Sequence, residues 1–168
     1  DVRLDIRFMD SESACREVDL GELELAIVTL PEQPRKLRTQ TLWEDRLHFV
    51  AGPDHPLAGA GAATLAEIVV HPAVLPSAAT YTRAILDAAV AEAGLSLRVA
   101  MSTNYLETLK MLAATGLGWT LLPETMFDGE VVEIPAQGID LRRRLGAVTR
   151  EGGTLSNAAR AMIEACAG

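Results

Sequence analysis

The sequence is poor in the residues from which chemistry is usually built. Cys15 and Cys166 are its two cysteines, far apart and without metal-ligand spacing, which excludes a disulfide framework or a cysteine-metal site. They read as two reduced, small hydrophobes. Histidine occurs at His48, His55 and His71 only. His55 falls in a Pro-Asp-His-Pro turn, where its ring suits bonding to turn carbonyls, and His48 reads as the partly exposed tip of a strand. There is no Gly-x-Ser-x-Gly elbow, phosphate loop, HExxH or CxxC. Ser77 has no base beside it in sequence, and the paired acids Glu22 and Glu24 read as solvated at a loop-to-strand junction. These absences argue against an enzyme, and no cofactor or metal is expected.

Cations are also scarce. Lys+Arg number 15 against 23 Asp+Glu, for a formal net charge of −8 and a pI near 4.9. Such a surface repels phosphate backbones. The one basic run, Arg142-Arg143-Arg144, alternates faces if it is a strand. This chain by itself is not expected to bind DNA. Aromatics make up 4%, so an aliphatic core is required. No apolar run approaches the roughly 20 residues of a membrane span, and no secretory pattern opens the chain, so the expected location is the cytoplasm.

What is present is a globular composition, 49% hydrophobic over 168 residues, enough for one domain or two small lobes. Residues 2–8 alternate apolar and charged, as a half-buried strand does. Asp10 or Ser11 then caps a helix to about residue 18, with Ala14, Cys15 and Val18 inward. Residues 25–28 form a short apolar run suited to a buried parallel strand, and Thr29 follows at its carboxyl end. Residues 37–43 and 46–51 read as two strands, and Gly52 to Pro56 as a turn. The Gly-Ala-rich residues 59–63 read as a soft boundary.

Thr64 with Glu67 has capping-box spacing at the start of a short helix. Residues 69–75, broken by Pro72, are expected to yield one short strand. Residues 77–82 read as a polar loop, 83–93 as a helix stopped by Gly94, and 97–101 as a strand. Asn104 and Glu107 have the spacing of a second capping box. Leu106, Leu109, Leu112 and Ala113 then define one helical face, and Gly116 is placed to end it. Gly118 suits a close backbone approach, and residues 119–122 read as a strand stopped by Pro123. Further strands are expected at 131–134 and 141–149, and Ser156 caps a last helix. Strands alternating with helices predict an α/β fold with mainly parallel strands. Ligands of such sheets sit beyond the carboxyl ends of strands, where helix N-termini present free N–H groups. Thr29, the 77–82 loop and residues 102–104 have the composition for that task.

Three stretches, in order, resemble one family. Residues 17–27 (EVDLGELELAI) are similar to its Leu-Gly-acidic-Leu-acidic-Leu-Ala-Ile run. Residues 45–58 (DRLHFVAGPDHPLA) are similar to its crossing strand and DHPLA ending. Residues 108–124 (TLKMLAATGLGWTLLPE) resemble its helix and Gly-Leu-Gly-aliphatic-Leu-Pro strand, with Trp119 at a usually aliphatic position. The chain thereby resembles the C-terminal effector-binding domain of LysR-type transcriptional regulators.

The resemblance implies two Rossmann-like lobes with an effector cleft between them, a type 2 periplasmic-binding-protein-like fold. Lobe I would comprise residues 1–50 and 147–168, and lobe II residues 51–146, with strands 46–51 and 145–149 crossing between them. It implies that the first strand and helix of the domain lie outside this sequence. It also implies a small effector, a carboxylate among the candidates, touched by Thr29, Tyr81, Thr82, Thr103 and Asn104. A homodimer or tetramer would be expected, with DNA contacted through an upstream helix-turn-helix. The alternative is a transporter's solute-binding protein of the same fold. A small α/β enzyme is the third reading.

Overall fold

The structure is a computed structural model that describes residues 5–34 and 36–168. The chain divides into two compact units, Asp1–Glu44 with Arg143–Gly168, and Asp45–Arg142. Strands β2 (Leu37–Ala51) and β7 (Leu141–Arg150) each continue from one unit into the other.

In the first unit, helix α1 (Ser11–Leu20) begins at Asp10, whose Oδ1 accepts from the Ser13 N–H at 2.8 Å. That donor, aligned with the helix dipole, holds the Asp10 carboxyl below its ordinary range. Ala14, Cys15 and Val18 face inward, as their spacing predicts, and Gly21 ends the helix at φ +78°. Strand β1 (Ala26–Thr29) runs antiparallel to β7, Ala26 opposite Val148 and Thr29 opposite Leu145. The first half of β2 lies so close to β7 that a Cβ on Gly146 would stand 2.1 Å from the Gln40 carbonyl oxygen. Only glycine admits that approach. Helix α5 (Asn157–Ala167) starts at Ser156, whose hydroxyl accepts from the Ala159 N–H and bonds the Glu24 carboxylate.

The second unit holds two ladders joined by one bridge, with apolar clusters on both faces. The second half of β2 pairs antiparallel with β5 (Thr120–Pro123) and with β6 (Val132–Glu133). Strand β3 (Ala73–Leu75) pairs in parallel with β4 (Val99–Ser102), and Trp119 bridges to Ala73. Alternation along the strands then sorts side chains by face. Phe49, Leu75 and Leu121 join Ile68 of α2 (Leu65–Val69) and Leu86 of α3 (Tyr81–Glu92) in one cluster. Val50, Val74 and Leu122 join Leu109 and Ala113 of α4 (Leu106–Ala114) in another.

Trp119 has no exposed surface. Its indole N–H donates to the His71 carbonyl at 3.2 Å, and its ring lies 5.3 Å from Phe49. Burying the ring without that partner would leave a costly bare donor. A single 3-10 turn, Glu124–Met126, follows β5. Residues 59–63 lie inside this second unit, where Ala63 bridges Ala136.

Several expectations are corrected. Residues 2–4 of the predicted first strand lie outside the described residues, and residues 5–10 form no strand. A strand needs a ladder partner. Without one, Phe8 stays 95% exposed despite its amphipathic setting. Residues 37–51 are one strand, not two, because Glu44-Asp45 is charged but contains no backbone breaker. Among the described residues, parallel pairing is confined to β3–β4 and two bridges, and β1 is antiparallel to β7. Alternating helices announce an α/β frame, but β1 meets its partner from the far end of the chain.

Candidate functional site

The second unit brings four of the five expected site residues to one end of its sheet. Strands β3 and β4 are parallel, and α3 and α4 start just beyond their carboxyl ends. Tyr81 and Thr82 are the first two residues of α3, not members of the preceding loop. Tyr81 is half-buried and Thr82 buried. Thr80 is the cap that makes this so. Its hydroxyl donates to the Ser77 carbonyl at 3.0 Å and accepts from the Arg83 N–H at 3.2 Å.

Thr103 and Asn104 follow β4. The Thr103 N–H donates to the Leu75 carbonyl at 3.2 Å, continuing the ladder past the end of the sheet. Asn104 does not cap its helix. Its Oδ1 accepts instead from the Ser77 N–H at 3.0 Å, tying the loop after β3 to the loop after β4. Tyr105, 76% exposed, occupies the cap position with no side-chain bond to the helix. Glu107 turns to Lys110 rather than back to the cap. The predicted capping box at 104–107 is therefore absent, because a tertiary bond captures the amide first. The box at Thr64 and Glu67 forms in full, with no such competitor nearby. The consequence for α4 is a first turn whose N–H groups have no side-chain cap and retain their partial positive charge.

Charge at this end is supplied by dipoles rather than by ions. The second unit has five Lys/Arg against eleven Asp/Glu. Arg46 and Arg142 pair with Asp140 at 3.0 and 2.8 Å, and Lys110 pairs with Asp128 at 2.7 Å. Arg83 lies near the strand ends, its Nη1 donating to the Pro76 carbonyl at 3.2 Å, but its Nε is 2.8 Å from Asp87. Arg98 precedes β4, at the opposite end of that strand.

Thr29 belongs to the first unit. It is 7% exposed at the end of β1, and its N–H donates to the Ser11 hydroxyl at 3.1 Å. Ser11, Ser77 and Thr80 are the groups that organise these ends and that sequence reasoning treated as caps or loop. Their only signal was a hydroxyl at a helix start, which usually means a cap.

His48 Nδ1 is 2.7 Å from Glu133, and the His55 and His71 rings stack edge to face at 4.9 Å. The Ser77 N–H is committed to Asn104. Among the described residues, no group of three His, Cys, Asp or Glu side chains could hold a metal ion.

Known proteins share the family and the fold. The LysR substrate binding domain family matches residues 1–168. The RuBisCO operon transcriptional regulator of Allochromatium vinosum is 27% identical over 168 residues, covering 97% of this chain and 55% of that protein. The C-terminal domain of a probable LysR family transcriptional regulator from Rhodococcus sp. RHA1 is 32% identical, with a TM-score of 0.80 over 95% of this chain and 82% of its own. The effector-binding domain of QuiR in complex with shikimate shares the fold at 17% identity, with a TM-score of 0.84 over 95% of this chain and 77% of its own. The chain spans about half the length of the curated relatives it matches.

Proposed function

We propose, from the premise that this chain belongs to the LysR substrate-binding domain family, that it is the sensing part of a longer, cytoplasmic DNA-binding regulator. It holds a small effector reversibly and makes or breaks no covalent bond. The observation that carries this reading is the clasp of Ser77 and Asn104 at the carboxyl ends of β3 and β4, beside a helix start that has no side-chain cap. Thr103, Asn104, Tyr81 and Thr82 supply neutral donors and acceptors there, and Thr29 is assigned the same task on the first unit. Free N–H groups and hydroxyls, with every nearby guanidinium already paired, suit a carboxylate or a hydroxylated acid.

Binding then shifts the population between conformations by as much as the effector's affinities for them differ. In a homodimer or tetramer that shift reaches DNA-binding parts outside this chain. Relatives provide the first probes: shikimate, named with the QuiR domain, and 2-PG, named with the CcmR regulatory domain of Synechocystis PCC6803.

The test is a calorimetric titration of these two and a panel of small carboxylates. Thr103→Val should weaken the best binder roughly tenfold, the worth of one hydrogen bond to a charged group. It should leave the melting temperature nearly unchanged. Equal affinity in the variant would reduce Thr103 to a structural residue.

A further inference from the structure

The first unit carries a separate concavity of about 310 Å³ at the carboxyl-terminal end of α1, the opposite end of that helix from Ser11 and Thr29. Val18, Gly21, Glu22, Leu23, Arg150 and Leu155 border it. Its charges are arranged unusually. Among the described residues, neither Glu22 nor Arg150 has an ion-pair partner, although both border one hollow. Glu24, the other acid there, is committed to Ser156 at the start of α5.

Arg150 is seated by a glycine. Gly21 caps α1 at φ +78°, and a Cβ on it would lie 3.0 Å from Arg150 Nη1. The guanidinium thus lies across the negative end of the helix dipole. That contact steadies the cation without using its fork of donors on a carboxylate.

An anion alone would meet Glu22, and a cation alone would meet Arg150. A molecule carrying both charges satisfies both walls, and the half-buried Leu23 and Leu155 offer an apolar floor. We propose that this hollow is a second ligand site, distinct from the strand ends, and that it takes a free α-amino acid with an apolar side chain. The carboxylate sits in the Arg150 fork and the ammonium faces Glu22. The proposal does not rest on the strand-end reading.

The experiment is an NMR titration of the purified chain with leucine, isoleucine, valine, methionine and phenylalanine, watching the Gly21 and Gly153 amides. At least one should shift them and saturate at millimolar concentration or below. Its N-acetyl and carboxamide derivatives, each lacking one charge, should bind roughly tenfold or more weakly. Arg150→Gln and Glu22→Gln should each cause a similar loss, with unchanged circular dichroism because both side chains are exposed. The derivatives keep the test decisive even if a variant misfolds. No shift at Gly21 or Gly153, or equal binding of the derivatives, overturns the proposal. So does undiminished binding by both variants. Shifts confined to Ser77, Thr103 and Asn104 overturn it as well, and leave the strand-end reading standing.

Discussion

Gly118 offers the sharpest test of how the second unit is built. A Cβ placed on it would lie 2.4 Å from the Pro72 carbonyl oxygen, 2.8 Å from the carbonyl carbon and 3.2 Å from the Ala73 Cα. Ordinary contact begins near 3.4 Å, so Gly118→Ala drives two backbones apart by about 1 Å. Two buried bonds run across that seam, Trp119 N–H to the Pro72 carbonyl at 3.0 Å and Val74 N–H to the Trp119 carbonyl at 2.8 Å. Over-packing costs ~1–3 kcal/mol, and stretching a buried bond beyond reach adds ~1–3 kcal/mol. The expected loss is therefore roughly 2–6 kcal/mol, a large share of a stability of about 5–15 kcal/mol.

Gly116→Ala is the matched control. Gly116 has φ +83° but nothing within 4 Å of its added Cβ, so it should lose only the left-handed backbone preference, ~1–2 kcal/mol. Urea unfolding in a Trp43→Phe background reads the difference, because Trp119 is then the sole tryptophan and lies in the second unit. A loss at Gly118 no larger than at Gly116 would refute the reasoning, since the close approach would then carry no energetic weight.

Other outcomes follow from single contacts. Thr64→Ala should cost about 1 kcal/mol by removing the acceptor of the Glu67 N–H, measured by urea midpoint at constant slope. Ser156→Ala should cost about 1 kcal/mol at the α5 cap, and the same assay checks it. Burial first, then the like charge of His71, holds His55 below the ordinary histidine value of 6.5. Above 6.5 His55 is neutral in both states and contributes nothing. As pH falls through 6.5 the unfolded chain takes the proton first, so stability drops and then levels below the folded value. His55→Asn, which can still accept from the Leu57 N–H, should flatten that slope in melting experiments between about pH 7 and pH 5.

Features set by a single local preference were legible in the sequence. Thr64 with Glu67 became a full capping box, Gly116 ended its helix, Asp10 and Ser156 capped theirs, and Gly118 marked a close approach. Features decided by distant partners were not. Asn104 had every local reason to cap α4, and a bond to Ser77 twenty-seven residues away took it instead. The apolar run leading to Thr29 suited a parallel strand, yet its partner arrives antiparallel from β7. Residues 5–8 have strand periodicity but no ladder. The site divides in the same way. Residue types at strand ends pointed to the 77–82 and 102–104 stretches, and only the family resemblance singled out Tyr81, Thr82, Thr103 and Asn104 within them; the bonding roles of Ser77, Thr80 and Ser11 had no signal beyond that of loop and cap residues.

The most direct test of reversible effector binding is an amide-resolved NMR titration with shikimate, 2-PG and related carboxylates, followed by recovery of the ligand. The account predicts saturable shifts centred on Ser77, Thr103, Asn104 and the first turn of α4, with the ligand returned unaltered. A ligand returned chemically changed would contradict it, as would saturable binding that leaves those amides unmoved.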